Sequence, residues 1–426
     1  MSATRTAPRR RRARVQPSTA RKPTPLDGLD AAWRRLFPHL PTDIPRITVA
    51  AWLANHERLG FDDPCWLAII APPSSAKTVL LTALADATGG YVLDTLTPQT
   101  LHSGLMLKGK VQNLGLLHCL GQRPNIVIKD LSVILSKRAW DRDEIIGQLR
   151  AVYDGEYGRP TGTGADDPSA RWKGRATLTI GMTPIIDTYH ALNNQLGERF
   201  VQLRFEIAED DVVDVAGQAL DNVRSRVNPR EELAKAIRTA VSRAESFLTP
   251  EALNDDTQVR LQNLVALVTK GRAGVLRDRD GEVLQRPAPE GPGRLMKQLS
   301  ALACGLAALR GTATLTEEDY KLVERVAFDS LPELRRQVFE ALYHRGARTI
   351  ADFRQHVKMS DPTIRKHLED LSLLGLAVSH TPAPGLAAGY EPSPLGLRYL
   401  NATRRQPLGA KDGEVSVSDG GEDGDV

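Results

Sequence analysis

Cysteine is scarce. The 426 residues hold three, Cys65, Cys119 and Cys304, odd in number, far apart and outside any Cys-x-x-Cys spacing. This excludes a disulfide scaffold and a zinc finger, and makes a reducing, cytoplasmic setting the expectation. The nine histidines show no ligand spacing, so no metal other than Mg²⁺ is indicated. No apolar run approaches the roughly 18 residues of a membrane-spanning helix. The longest, residues 66–71 (Trp-Leu-Ala-Ile-Ile-Ala), is strand-sized, and no membrane partner is expected. Repeats of solenoid period are also lacking. With 41% hydrophobic and 25% charged residues, the composition is that of a soluble globular chain of two or three domains.

The net charge is small, +4, but it is unevenly distributed. Residues 1–22 contain Arg5, Arg9–Arg12, Arg14, Arg21 and Lys22 and no acid, whereas residues 411–426 carry Asp412, Glu414, Asp419, Glu422, Asp423 and Asp425 against Lys411. Neither tail has enough large apolar side chains to offset its ordering entropy, so both are expected to be disordered. The basic tail suits counterion release on nucleic acid and equally suits a merely solubilising role.

Between the tails, the pattern changes twice. Residues 27–40 and 48–59 have helical spacing. Apolar runs at 65–71, 91–94, 125–130, 176–181 and 200–205 then alternate with helical stretches at 77–87, 104–120 and 144–153. Such alternation predicts an α/β unit with a parallel sheet covered on both faces. Residues 209–331 read as wholly helical, interrupted by a charged, Gly- and Pro-rich stretch at 271–293. Residues 333–400 form a small separate unit. The expected division is a tail to 25, an α/β domain 26–207, a helical lid 208–331, a small domain 332–400 and a tail 401–426.

The strongest local signal is Ala71-Pro72-Pro73-Ser74-Ser75-Ala76-Lys77-Thr78, between an apolar strand and a helix. A phosphate-binding loop needs inward backbone N–H groups, a lysine for the β/γ-phosphates and a hydroxyl for Mg²⁺. Lys77 and Thr78 supply the last two, but the two glycines of the usual pattern are Ala71 and Ala76. An alanine at 76 sets a methyl where backbone approaches phosphate and where positive φ is wanted. In a parallel sheet, ligands sit beyond the strand C-termini. There the run Ile126-Val127-Ile128-Lys129-Asp130 would deliver Asp130 to hold Mg²⁺ through water, and the run ending Gly181-Met182-Thr183 would deliver Thr183.

These pieces, in this order, resemble the core of the AAA+ ATPases over roughly residues 45–331. Walker A is residues 71–78, Walker B 126–130, sensor 1 Thr183 and the arginine finger Arg199 in Gly197-Glu198-Arg199-Phe200. The resemblance implies ATP and Mg²⁺ as cofactors. Pro73, Ser74, Ser75, Ala76, Lys77, Thr78 and Val79 would cradle the nucleotide, with Thr78 and Asp130 on the metal and Asp130, Thr183 and Arg199 in catalysis. Residues 293–299 resemble a sensor-2 helix, whose Arg294 would face the γ-phosphate. Arg199 would act in trans, implying a ring or filament of this chain, a hexamer being one form. Each arginine has a plainer reading as a surface charge. One departure stands out: hydrolytic members follow the Walker B aspartate with a glutamate that orients water, and here Leu131 and Ser132 follow. Asp141, Asp143 or Glu144 would have to serve instead.

Residues 333–400 resemble a winged helix-turn-helix. Ser360 can cap a helix with Pro362 in its first turn, with Ile364, Leu368 and Leu371 inward and Thr363, Arg365, Lys366 and Glu369 outward. Two short strands around a Pro/Gly tip follow. Thr363, Arg365 and Lys366 would meet DNA, although Glu369 and Asp370 dilute the positive face and such modules also dock proteins. The combination resembles the minichromosome-maintenance and origin-recognition ATPases and proteins of mobile elements. The expectation is an ATP-dependent DNA-acting motor or replication factor. The alternative is a non-hydrolysing, nucleotide-gated DNA-binding regulator or loader, a transposition or defence ATPase included.

Overall fold

Period-two alternation along short apolar strands sorts the first part of the molecule into two layers. The computed structural model describes residues 24–101, 105–107, 110–113, 115–158, 171–188, 199–380 and 389–404. Helices α1 (Pro25–Leu36) and α2 (Asp43–Leu53) precede strand β1 (Trp66–Ile70), α3 (Lys77–Thr88) and β2 (Tyr91–Leu93). A hairpin of β3 (Leu105–Leu107) and β4 (Lys110–Asn113), the short α4 (Leu116–Leu120), β5 (Asn125–Ile128) and α5 (Ala139–Tyr153) come next. A second hairpin, β6 (Glu156–Tyr157) with β7 (Trp172–Lys173), leads to β8 (Thr177–Met182) and β9 (Phe200–Arg204).

The five longer-range strands form one parallel sheet in the order β2-β5-β8-β1-β9. All five residues of β1 are buried, as a strand flanked on both faces must be. Leu67 and Ile69 join Val127, Val201 and Leu203 in a core shared with α1, α2 and α3. Trp66, Ala68 and Ile70 join Ile126, Ile128, Leu178 and Ile180 in a second core under α5. Each such aliphatic side chain contributes roughly 1.5–3 kcal/mol on burial. Because the strands are parallel, their C-termini lie along one edge.

Helices α6 (Val212–Arg224), α7 (Pro229–Ala244), α8 (Asp255–Arg272), α9 (Gly293–Arg310) and α10 (Glu317–Asp329) follow the sheet. Of these, α7 and α9 extend the first core by packing on α3 and α2. A last group consists of α11 (Glu333–Tyr343), α12 (Ile350–His356), α13 (Asp361–Leu373), the antiparallel pair β10 (Ala377–His380) and β11 (Gly389–Pro392), and α14 (Pro394–Ala402). Its core, around Val338, Phe339, Phe353, Ile364, Leu368 and Leu371, also takes in Leu267 and Ala273 from α8 and the residue after it. Among the described residues no helix is long and apolar enough to cross a membrane.

Two sequence expectations need correction. Residues 104–120 are not one helix: β3 and β4 pair antiparallel, and only Leu116–Leu120 is helical. Glycine at 104, 109 and 115 weakens any helical stripe in this sequence. Nor does a helix run through 48–59. It stops at Leu53, where the Asn55 amide donates to the Ala51 and Cys65 carbonyls and accepts from the Cys65 N–H, each at 2.9 Å. One buried side chain thereby turns the chain into β1. The two charged tails, the wing tip and most of the expected finger turn (residues 189–198) lie outside the described residues.

Candidate functional site

At the C-terminal edge of the sheet a cleft of about 530 Å³ is lined by residues 73–79, Lys129, Asp130 and Thr183. Three strand ends therefore converge there, from β1, β5 and β8. The loop after β1 turns sharply, with Ser74 at φ 62° and Ala76 at φ 63°. Such left-handed conformations cost an L-residue about 1–2 kcal/mol. Ala76, at φ 63°, ψ 0°, is the residue from which α3 springs, and no acid lies in the first turn of that helix. Its free N–H groups and positive dipole end are left for an anion.

Lys77 is 6% exposed, and its amine donates to the Ala71 carbonyl at 2.9 Å and the Met182 carbonyl at 2.5 Å. Burial lowers its pKa, and the charge of Asp130 opposes that shift. The amine thus bridges the ends of β1 and β8. Ser75 is 1% exposed, and its hydroxyl has no hydrogen-bond partner among the described residues. A buried orphan hydroxyl in a cleft wall is the kind of group a bound polar ligand satisfies. Asp130 Oδ1 accepts from the Ser132 N–H at 2.8 Å, and Ser132 Oγ accepts from the Thr183 N–H at 2.8 Å and its hydroxyl at 3.1 Å. Ser132 was not among the sequence candidates, although an Asp-x-Ser step is a legible side-chain turn.

The facing wall was also missed. It comes from residues 36–40 after α1, from Ile207, and from Val215, Gln218, Ala219, Asn222 and Val223 of α6. The chemistry of the cleft is therefore split, with cations and hydroxyls on the sheet side and mainly apolar atoms on the other. These donors fit a phosphate chain with a hydrated magnesium: an amine, a helix N-terminus and a hydroxyl for phosphate, and Thr78 and Asp130 as hard oxygen ligands. Among the described residues no cluster of three or more His, Cys, Asp or Glu side chains could hold a metal unaided.

The other candidates lie elsewhere. Arg199 precedes Phe200, which is paired with Trp66 at the opposite end of β1. It is 5% exposed, 3.4 Å from Asp154 and 5.7 Å from the centre of the Tyr153 ring. Arg294 lies over the same ring at 5.5 Å and 4.0 Å from Glu290. Arg294 therefore meets the Tyr153 ring at the end of α5, and it is not among the residues that line the cleft with Lys77. Burial lowers the Arg199 pKa against the pull of Asp154. Asp141, Asp143 and Glu144 do not line the cleft, whose only carboxylate among the described residues is Asp130.

A groove of about 550 Å³ separates α13 from the β10–β11 pair, lined by Arg365, Lys366, Glu369 and Tyr390 among others. Ser360 accepts from the Thr363 N–H at 3.4 Å, and the two hydroxyls are 2.8 Å apart, so Thr363 is engaged in the cap. Arg365 and Lys366 are exposed, while Ile364, Leu368 and Leu371 are buried, as the spacing implied. The two acids that were expected to weaken this face are both paired. Glu369 lies 2.9 Å from Arg277, and Asp370, 3% exposed, lies 2.7 Å from Arg277 and 3.0 Å from Arg335. Burial opposes ionisation of Asp370, but the His367 ring and the two arginines outweigh it and hold the carboxyl well below its usual range. Arg277 belongs to the non-periodic stretch 271–293, where no pattern could have revealed it.

Set against known proteins, the chain matches no family model and no curated protein.

Proposed function

We propose that the chain is an ATP-binding protein that acts on DNA, in the manner of an AAA+ ATPase with a C-terminal winged helix-turn-helix. The observation that carries this reading is the convergence of Lys77, Thr78, Asp130 and Thr183 on one cleft at the C-terminal edge of a parallel sheet. Lys77 and the backbone N–H groups at the start of α3 would hold phosphates, and Thr78 and Asp130 a magnesium ion. The apolar wall from residues 36–40 and α6 would receive the base. Bound magnesium would neutralise charge on the phosphates and fix their geometry. The protein's own part is to exclude water from the base and to orient the chain of phosphates along α3. Isothermal titration with Mg²⁺ and ATP or ADP tests this. Micromolar affinity, reduced at least tenfold in Lys77→Ala, is expected, and a wild-type protein that binds neither nucleotide overturns it.

DNA contact is supported by the groove beside α13, where Arg365 and Lys366 are free to meet phosphates while Glu369 and Asp370 are neutralised from behind. Within this reading a motor or replication factor remains the first form. One observation favours the second, a nucleotide-gated regulator or loader that binds without rapid hydrolysis. The residue after Asp130 is Leu131, 1% exposed in the core, and among the described residues the cleft lining holds no second carboxylate to orient water. Single-turnover hydrolysis with and without DNA separates the two. A self-assembled ring would further require Arg199 to exchange Asp154 for a neighbour's phosphate. Sedimentation with and without ATP reads that directly.

A further inference from the structure

Two walls of the cleft are joined behind its surface by a single serine. Asp130 follows β5 and Thr183 follows β8, adjacent strands of the sheet. Ser132 fastens both, its N–H to Asp130 Oδ1 at 2.8 Å and its Oγ to the Thr183 N–H at 2.8 Å and hydroxyl at 3.1 Å. Ser132 itself is not part of the cleft lining.

The hydroxyl pair has two settings, because either oxygen can donate. With Thr183 donating to Ser132, Thr183 offers only lone pairs to the cleft, which suit a water or a hydrated metal. With Ser132 donating to Thr183, the Thr183 hydrogen is released toward an acceptor such as a terminal phosphate oxygen. The Thr183 N–H to Ser132 bond is unaffected by the exchange, so the threonine keeps its position while its polarity reverses.

We propose that Ser132 is a positioning residue that lets this cleft distinguish a nucleoside triphosphate from the diphosphate, by holding Thr183 in register with Asp130 and by accepting or donating the hydrogen bond between the two hydroxyls. The inference rests on the nucleotide reading above and deepens it. In the triphosphate state the Ser132 hydroxyl donates inward and Thr183 meets the terminal phosphate. In the diphosphate state the pair reverts and Thr183 accepts from water.

The test compares Mg²⁺–ATP and Mg²⁺–ADP affinities of the wild type, Ser132→Ala, Ser132→Thr and Lys77→Ala by titration calorimetry, with circular dichroism to establish folding. Ser132→Ala is expected to lose about tenfold in ATP affinity while its ADP affinity stays within about threefold, and Ser132→Thr, which keeps the hydroxyl, to restore the preference. Lys77→Ala should weaken both nucleotides together. A folded Ser132→Ala protein that keeps the full ATP preference, or that loses ATP and ADP equally, overturns the proposal while leaving nucleotide binding intact. A wild type that binds neither nucleotide overturns the underlying reading and this inference with it. Should Ser132→Ala fail to fold, Ser132→Cys, which keeps the shape but weakens both hydrogen bonds of the side chain, carries the same expectation.

Discussion

Replacing Ala76 with glycine removes one methyl from the turn that opens α3, and its effect can be worked out from the backbone alone. At φ 63°, ψ 0°, Ala76 occupies the left-handed region, which costs an L-residue about 1–2 kcal/mol. Glycine adopts it freely but gives up about 0.5–1 kcal/mol of unfolded-chain entropy. The balance is a net stabilisation of roughly 0.5–1 kcal/mol, or a rise of about 1–2 °C in the melting temperature of a unit this size. An internal control comes from the same helix. Ala83, mid-helix and 0% exposed, should lose about 1 kcal/mol or more on the identical substitution, through helix propensity and lost burial. Differential scanning calorimetry of Ala76→Gly, Ala83→Gly and the wild type reads both signs in one experiment. The turn is also where phosphate is proposed to lie, so Ala76→Gly should bind Mg²⁺–ATP at least as tightly as the wild type. Destabilisation of the Ala76→Gly protein by about 0.5 kcal/mol or more would refute the strain argument.

The remaining expectations follow from single contacts. A Cβ at Gly181 would collide with the Lys129 carbonyl, the residue beside Asp130. Gly181→Ala should therefore cost about 2 kcal/mol or more in urea midpoint and weaken nucleotide binding, and a neutral result would contradict the close approach of β8 to the end of β5. Asp370→Asn leaves Arg277 and Arg335 without their buried counter-charge and should cost about 3 kcal/mol at pH 7. Because the native carboxyl titrates below its usual range, its contribution is full above the unfolded value of about 4 and is lost as pH falls through that value toward the native one. The gap between wild type and variant should narrow below pH ~4, and a constant gap would exclude an ionised Asp370. For DNA, Arg365→Ala and Lys366→Ala should each lower the slope of log affinity against log salt by about 1, uniformly across sequences. An unchanged slope would remove α13 from the interface.

The strands at 66–70, 91–93, 125–128, 177–182 and 200–204 were legible because each is a short, largely apolar stretch of strand length, a signal that needs no knowledge of its neighbours. Ser360 was legible as a cap for the same local reason, and its side chain does accept from the Thr363 N–H. The strand pair 105–107 and 110–113 was not, because pieces that short fit a helix or a strand until a partner decides. Lys77, Thr78, Asp130 and Thr183 could be assigned to one edge from strand direction alone. Arg294 could not be located so simply. Its position depends on where α9 docks, and α9 docks by its apolar face on α2, a contact spanning hundreds of residues of chain. The Arg277–Asp370 pair, 93 residues apart, was invisible for the same reason.

That difference bears on how the two proposed activities are connected. Arg277 lies between α8 and α9, yet it is bound to Glu369 and Asp370 on α13, and Arg335 of α11 donates from the same network to the Gly271 and Ala273 carbonyls at 2.9 and 2.7 Å. The small C-terminal unit is therefore fastened to the helical layer by buried ions and by the shared apolar residues Leu267 and Ala273. Buried pairs of this sort are costly to break singly and specify geometry more than they add stability. A displacement of α8 relative to the sheet would be carried into α13 as a rigid rotation of the groove bearing Arg365 and Lys366. The weaker joint lies at the other end of the same layer. Among the described residues α6, which forms the apolar wall of the cleft, contributes no buried side chain. The joint between the helical layer and α13 is accordingly stiff, whereas the α6 wall of the cleft is loosely held.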